Sequence, residues 1–146
     1  MKSLALGFGL LTLVLLNFSP ATEPQRMSDE SAVRSTVTDY IEGYYTGDAS
    51  RMEKSLHPHY LKHTISKSEG KLKMTEWTGL QMVQAARSQE AVNLPASEKT
   101  EQITVLDIAG GMASAKLITP HWVDYLTLSK WNGEWKIVSV VLTETD

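Results

Sequence analysis

The dipeptide Asn132-Gly133 constrains this chain more than any other two residues. A type I′ hairpin turn needs positive φ at both central positions, and Asn-Gly meets that demand best. β-Forming residues flank it, so 123–131 and 134–143 read as antiparallel neighbours. Gly110-Gly111 gives a second hairpin signal between 102–108 and 112–119, and Pro120 interrupts the chain before the next strand. The C-terminal part is therefore expected to be an antiparallel meander with three turns.

The N-terminal part has a different period. Val33, Val37, Tyr40, Ile41 and Tyr44 fall three and four residues apart, the apolar stripe of an amphipathic helix. Ser28 reads as its cap, with Asp29 and Glu30 in the first turn and Gly47 just past its end. Residues 22–27, with Pro24, read as a flexible lead-in. Asp48 is expected to cap a short second helix through Met52 and Leu56, stopped by Pro58. An early strand is expected over 60–65, then a polar turn over 66–70. Thr75 is expected to cap a third helix over 76–91, on the spacing of Trp77, Leu80 and Val83. Three helices and one mainly antiparallel sheet make an α+β fold, with the helices packed on one face.

Lys2 precedes an uncharged apolar run over 4–16, and Ser19-Pro20-Ala21 supplies small residues after it. This is the pattern of a cleaved secretory signal, and the run is shorter than the ~20 apolar residues that span a bilayer. The expectation is a signal peptide over 1–21, a domain over 28–146, and an exported, periplasmic or secreted product with no stable membrane anchor after cleavage. The chain has no cysteine, which removes disulfides, thiol nucleophiles, thiolate zinc sites and a lipid anchor through Cys. A net charge of −3 gives no electrostatic reason to bind nucleic acid or an anionic membrane surface.

Several strings, in this order, resemble the nuclear transport factor 2-like superfamily, in its putative lumazine-binding and polyketide cyclase-like branch. They are the run from Val37 to Asp48, Leu56-His57-Pro58, the run from Val123 to Leu128, and the run from Asn132 to Val138. The resemblance implies a cone-shaped α+β fold with three helices on a curved sheet. It implies a pocket between the first helix, the third helix and the concave face. It also implies a homodimer through the outer sheet face.

Candidate chemistry follows from the residues near that pocket. Tyr40 and Tyr44 lie four apart on one helix face, so a phenol can donate a hydrogen bond inward, or simply pack in the core. His63 shares a strand face with Leu61 and Ile65 and points inward if that face is concave. Asp124 and Tyr125 begin a strand expected to line the pocket, but adjacent strand residues face opposite sides, so only one of them looks inward. Candidate catalytic groups are thus His63 or Asp124 as base and Tyr40 or Tyr44 as donor, and candidate ligand contacts are Tyr40, Tyr44, His63, Trp77 and Tyr125. Trp122 can stack on a flat ligand, and His121 reads as a sheet-rim residue. His57, His59 and His63 cannot converge along one extended strand, and no metal site is expected. No cofactor is expected either, and the chain carries no phosphate-binding glycine loop and no nucleophile elbow. Three functions remain: a binding module for a small apolar or aromatic molecule, an isomerase or dehydratase, and an accessory interaction protein with a filled cone.

Overall fold

The computed structural model describes residues 22–145. The expected signal over 1–21 lies outside the described residues. Among the described residues, no helix is long and apolar enough to cross a membrane.

Helix α1 spans Glu23–Thr46. It starts five residues before the expected cap at Ser28, so 23–27 are helical rather than a loose lead-in. Pro24 sits in the first turn, where its missing N–H leaves no intrahelical bond unmade. The expected stripe is the buried one, with Val33, Val37, Tyr40 and Ile41 almost fully enclosed. Gly47 ends the helix at φ 72°, a left-handed conformation that suits glycine. Helix α2, Ala49–Ser55, is capped by the Asp48 side chain, which accepts from the Arg51 N–H. Gly43 lets α1 and α2 meet closely, since a Cβ there would sit 2.8 Å from the Met52 nitrogen.

Strand β1, Leu56–Ser68, is longer than the sequence suggests. Its ladder to the last strand is irregular between Leu56 and Leu61, around Pro58, which has no N–H to donate. Glu69 and Gly70 both take positive φ and turn the chain into β2, Lys71–Thr78. Here the structure departs from the expected third helix. Residues 71–78 pair along β1 from Leu61 to Ser68, and this long antiparallel ladder takes Glu76, Trp77 and Thr78 out of the expected helix. The helix begins three residues later than expected and ends four residues earlier, as α3, Gly79–Arg87, with a capping box between Thr78 and Gln81.

The meander follows as expected: β3 Gln102–Ala109, β4 Met112–Ile118, β5 Trp122–Trp131 and β6 Glu134–Glu144. Asn132 and Gly133 form its last turn, both at positive φ. The sheet order is β2-β1-β6-β5-β4-β3, antiparallel throughout except for the β1–β6 pair. The helices cover one face. Leu117, Leu126, Leu128, Ile137 and Val140 rise from that face into the core, each buried to within a few per cent. Burying side chains of this size stabilises the fold by about 1.5–3 kcal/mol apiece.

Candidate functional site

The open end of the cone encloses a cavity of about 660 Å³. Helix α1 contributes Tyr40, Ile41 and Tyr44, and α3 contributes Met82 and Ala85. Strand alternation places Lys62, Thr64 and Ser66 of β1 inside, with Thr75 and Trp77 of β2 beside them. His121, Trp122 and Leu142 complete the far wall. Tyr44 meets the Trp122 ring edge-on at 6.1 Å, and His121 stacks on Trp122 at 6.2 Å.

Lys62 and Tyr40 form a polar floor, with Tyr60 and Asp124 buried behind them. Lys62 Nζ donates to Tyr40 Oη at 3.0 Å and lies 3.6 Å from Asp124 Oδ1. Tyr60 Oη donates to Tyr40 Oη at 3.4 Å. Tyr40 thus accepts twice, while its own O–H donates to no protein acceptor among the described residues. Asp124 is 0% exposed, and among the described residues no donor forms a hydrogen bond to either of its carboxylate oxygens. The Trp122 indole N–H is also buried without an acceptor among the described residues.

Burial sets the electrostatics. It pushes the Asp124 carboxyl above the usual range, against the opposing pull of Lys62 and the Trp122 indole. It pushes the Lys62 ammonium below its usual range, against the pull of Asp124. Tyr40 is held well above the ordinary phenol, first by burial and then by the charges of Tyr60 and Asp124. Burial therefore opposes the charged form of each of these groups.

Tyr40, Tyr44 and Trp77 line the cavity, as the sequence suggests, although Trp77 does so from β2 and not from a helix. Asp124 is the inward member of its pair, and Tyr125 is 52% exposed on the outer face. His63 is also on the outer face, because its neighbours Lys62 and Thr64 take the inward positions. Its Nε2 meets Glu76 Oε1 at 3.3 Å. His63 and Tyr125 are thereby removed from the candidate site. His57 packs against Trp131 at 4.6 Å, and no cluster of three metal-ligating side chains exists among the described residues. Lys62 is the residue that sequence reading missed. Its only signal is parity, since Tyr60, Lys62 and Thr64 alternate along one face. His121, read as a rim residue, forms part of the wall.

An α+β cone with this strand order and an open pocket under its helices is the nuclear transport factor 2-like, cystatin-like architecture. The chain matches the family described as putative lumazine-binding over residues 28–142, and it belongs to that family. Solved structures agree on the fold. A nuclear transport factor 2-like protein of unknown function from Shewanella baltica is 20% identical, covering 87% of this chain and 99% of its own, with a TM-score of 0.65. One of unknown function from Silicibacter pomeroyi is 16% identical over 82% of this chain and 98% of its own, with a TM-score of 0.64. A putative dehydratase of the same fold family from Streptomyces avermitilis is 12% identical over 83% of this chain and 99% of its own, with a TM-score of 0.53. No curated protein matches the sequence.

Proposed function

We propose that this protein binds a small, flat, mainly apolar molecule in the cone, with a polar group of the ligand seated on Lys62 and Tyr40. The observation that carries this reading is the cavity itself. Its volume of about 660 Å³ falls in the usual range for small-molecule sites, and its walls are aromatic above a compact polar floor. The same cavity argues against an accessory protein with a filled cone. A thermal-shift screen of flat heteroaromatic and carbonyl compounds tests the reading. A ligand that binds only the native state raises the melting temperature, and a screen without any shift on well-folded protein would count against it.

An isomerase or dehydratase is the second reading. It keeps Asp124 as base and Tyr40 as donor, on the same inner face, and loses His63. The raised Asp124 carboxyl favours it, as does the dehydratase description of the Streptomyces avermitilis structure. Its test is deuterium uptake at the acidic carbon of a bound carbonyl ligand, abolished in Asp124→Asn.

Two further parts belong to the same proposal. Export is read from residues 1–21, and N-terminal sequencing of the mature protein tests it. A homodimer is read from the outer sheet face, where Leu106, Tyr125 and Val141 are about half exposed. Light scattering tests that.

A further inference from the structure

We propose that Lys62 is an amine nucleophile that condenses with an aldehyde or ketone bound in the cone, holding it as an imine. This names the ligand class for the pocket read above and rests on that reading. The argument starts from geometry. Among the described residues Lys62 is the only lysine lining the cavity, and its side chain is 10% exposed at the floor. A lysine reacts with a carbonyl only as the neutral amine, and enclosure in an apolar pocket is the usual way to supply it.

The groups around Nζ fit this use. The charged and titratable side chains that face it are Asp124 from β5, Tyr40 from α1 and Tyr60 from β1. Strand β6 presents only Val140 beside Lys62, with Leu142 next along the same face. Burial opposes charge on both Lys62 and Asp124, so the pair can hold its one shared proton as a neutral amine and a neutral acid.

That single proton is what condensation needs. The amine lone pair of Lys62 attacks the carbonyl carbon, and the carbonyl π electrons move to oxygen. Asp124 gives its proton to that oxygen and then takes one from the nitrogen, leaving a neutral carbinolamine. The hydroxyl leaves as water with the proton that Asp124 returns, while the nitrogen lone pair closes the C=N bond. A neutral amine, a carboxylic acid and a carbonyl become an iminium, a carboxylate and water. The buried pair ends with the same net charge it began with. Tyr40 Oη, 3.0 Å from Nζ, places an unused O–H beside the point where the carbonyl oxygen is released.

The flat apolar body of the ligand would lie between Tyr44, Trp77 and Trp122. A neutral carbonyl also suits this floor better than an anion, because Asp124 already balances Lys62.

The test is reductive trapping with 2-naphthaldehyde and sodium cyanoborohydride, read by intact mass and peptide mapping. At about pH 7 Lys62 is expected to be labelled at least about tenfold faster than the surface lysines, because the cavity holds the aldehyde against its amine. Lys62→Arg keeps a cation beside Asp124 and should abolish the fast label. If that variant fails to fold, the peptide map of the unmodified protein decides alone. 2-Naphthalenemethanol, which cannot form an imine, is titrated in parallel by quenching of tryptophan fluorescence. Quenching by the alcohol without fast labelling of Lys62 overturns the imine and leaves the binding pocket standing. Labelling of Lys62 no faster than of other lysines also overturns it. Neither quenching nor labelling of Lys62 overturns both readings.

Discussion

Among the described residues two aspartates are buried, each beside a lysine, and strand β5 contributes to both pairs. At the closed end of the cone Lys130 of β5 meets Asp29 of α1 at 2.6 Å. Asp29 also accepts from the Trp135 indole at 3.3 Å and from Gln25 at 3.2 Å, and these donors hold its carboxyl below the usual range. At the open end Asp124 of β5 faces Lys62 of β1 at 3.6 Å, receives no hydrogen bond, and is pushed the other way. One carboxylate is saturated with donors and ties a helix to a sheet. The other is left short of donors where a cavity begins. A fold that satisfies the first and not the second has its unmet polar demand at the pocket, which is where function tends to hold it.

The sharpest way to break the contrast is to remove each lysine in turn. Lys62→Met strands a buried carboxylate and should cost about 3–5 kcal/mol by urea denaturation. Adding Asp124→Leu should restore most of that loss, because replacing both buried charges is close to neutral. Lys130→Met should cost only about 1 kcal/mol or less, since Lys130 is one-third exposed and Asp29 keeps two other donors. Equal losses at the two ends would dissolve the distinction.

Carboxyl titration by NMR sharpens it further. Asp29 should titrate below the free value of about 3.9 and Asp124 above it. The signs then differ in stability. Asp29, with its depressed folded value, stabilises the protein above about pH 4, and that contribution is lost as the pH falls through the folded value. Asp124 binds its proton more tightly folded than unfolded, so its own ionisation weakens the fold as the pH rises through its elevated value.

Much of this architecture was legible in the sequence. The stripe from Val33 to Tyr44 and the turns at 110–111 and 132–133 depend on local periodicity and on positive φ, which single residues declare. Strand β2 was not legible. The alternation of Leu72 and Met74 with Lys71, Lys73 and Thr75 is short, and both apolar side chains are exposed, so 71–78 is a strand because β1 is there to pair with it. The site was legible in part for a related reason. Tyr40 and Tyr44 sit on a helix whose inward face its own spacing reveals, whereas the faces of Asp124 and Lys62 depend on where each strand enters the sheet. A shift of one residue exchanges Asp124 for Tyr125, and Lys62 for His63. The irregular pairing around Pro58, just upstream of Lys62, makes that parity impossible to count from the helix end.

The parallel β1–β6 pair has a consequence for how the molecule is made. Leu61 bonds alongside Ser139, so the middle of the sheet closes only when the last strand arrives. Until then β1 and β2 form an isolated hairpin, and the chain must pay a large loop-closure entropy before its central contacts begin to repay it. Lys62 and Asp124 come together only at that late step. A nascent or truncated chain lacking β6 therefore has no floor to its cone, and the reactive pair is assembled only in a finished protein.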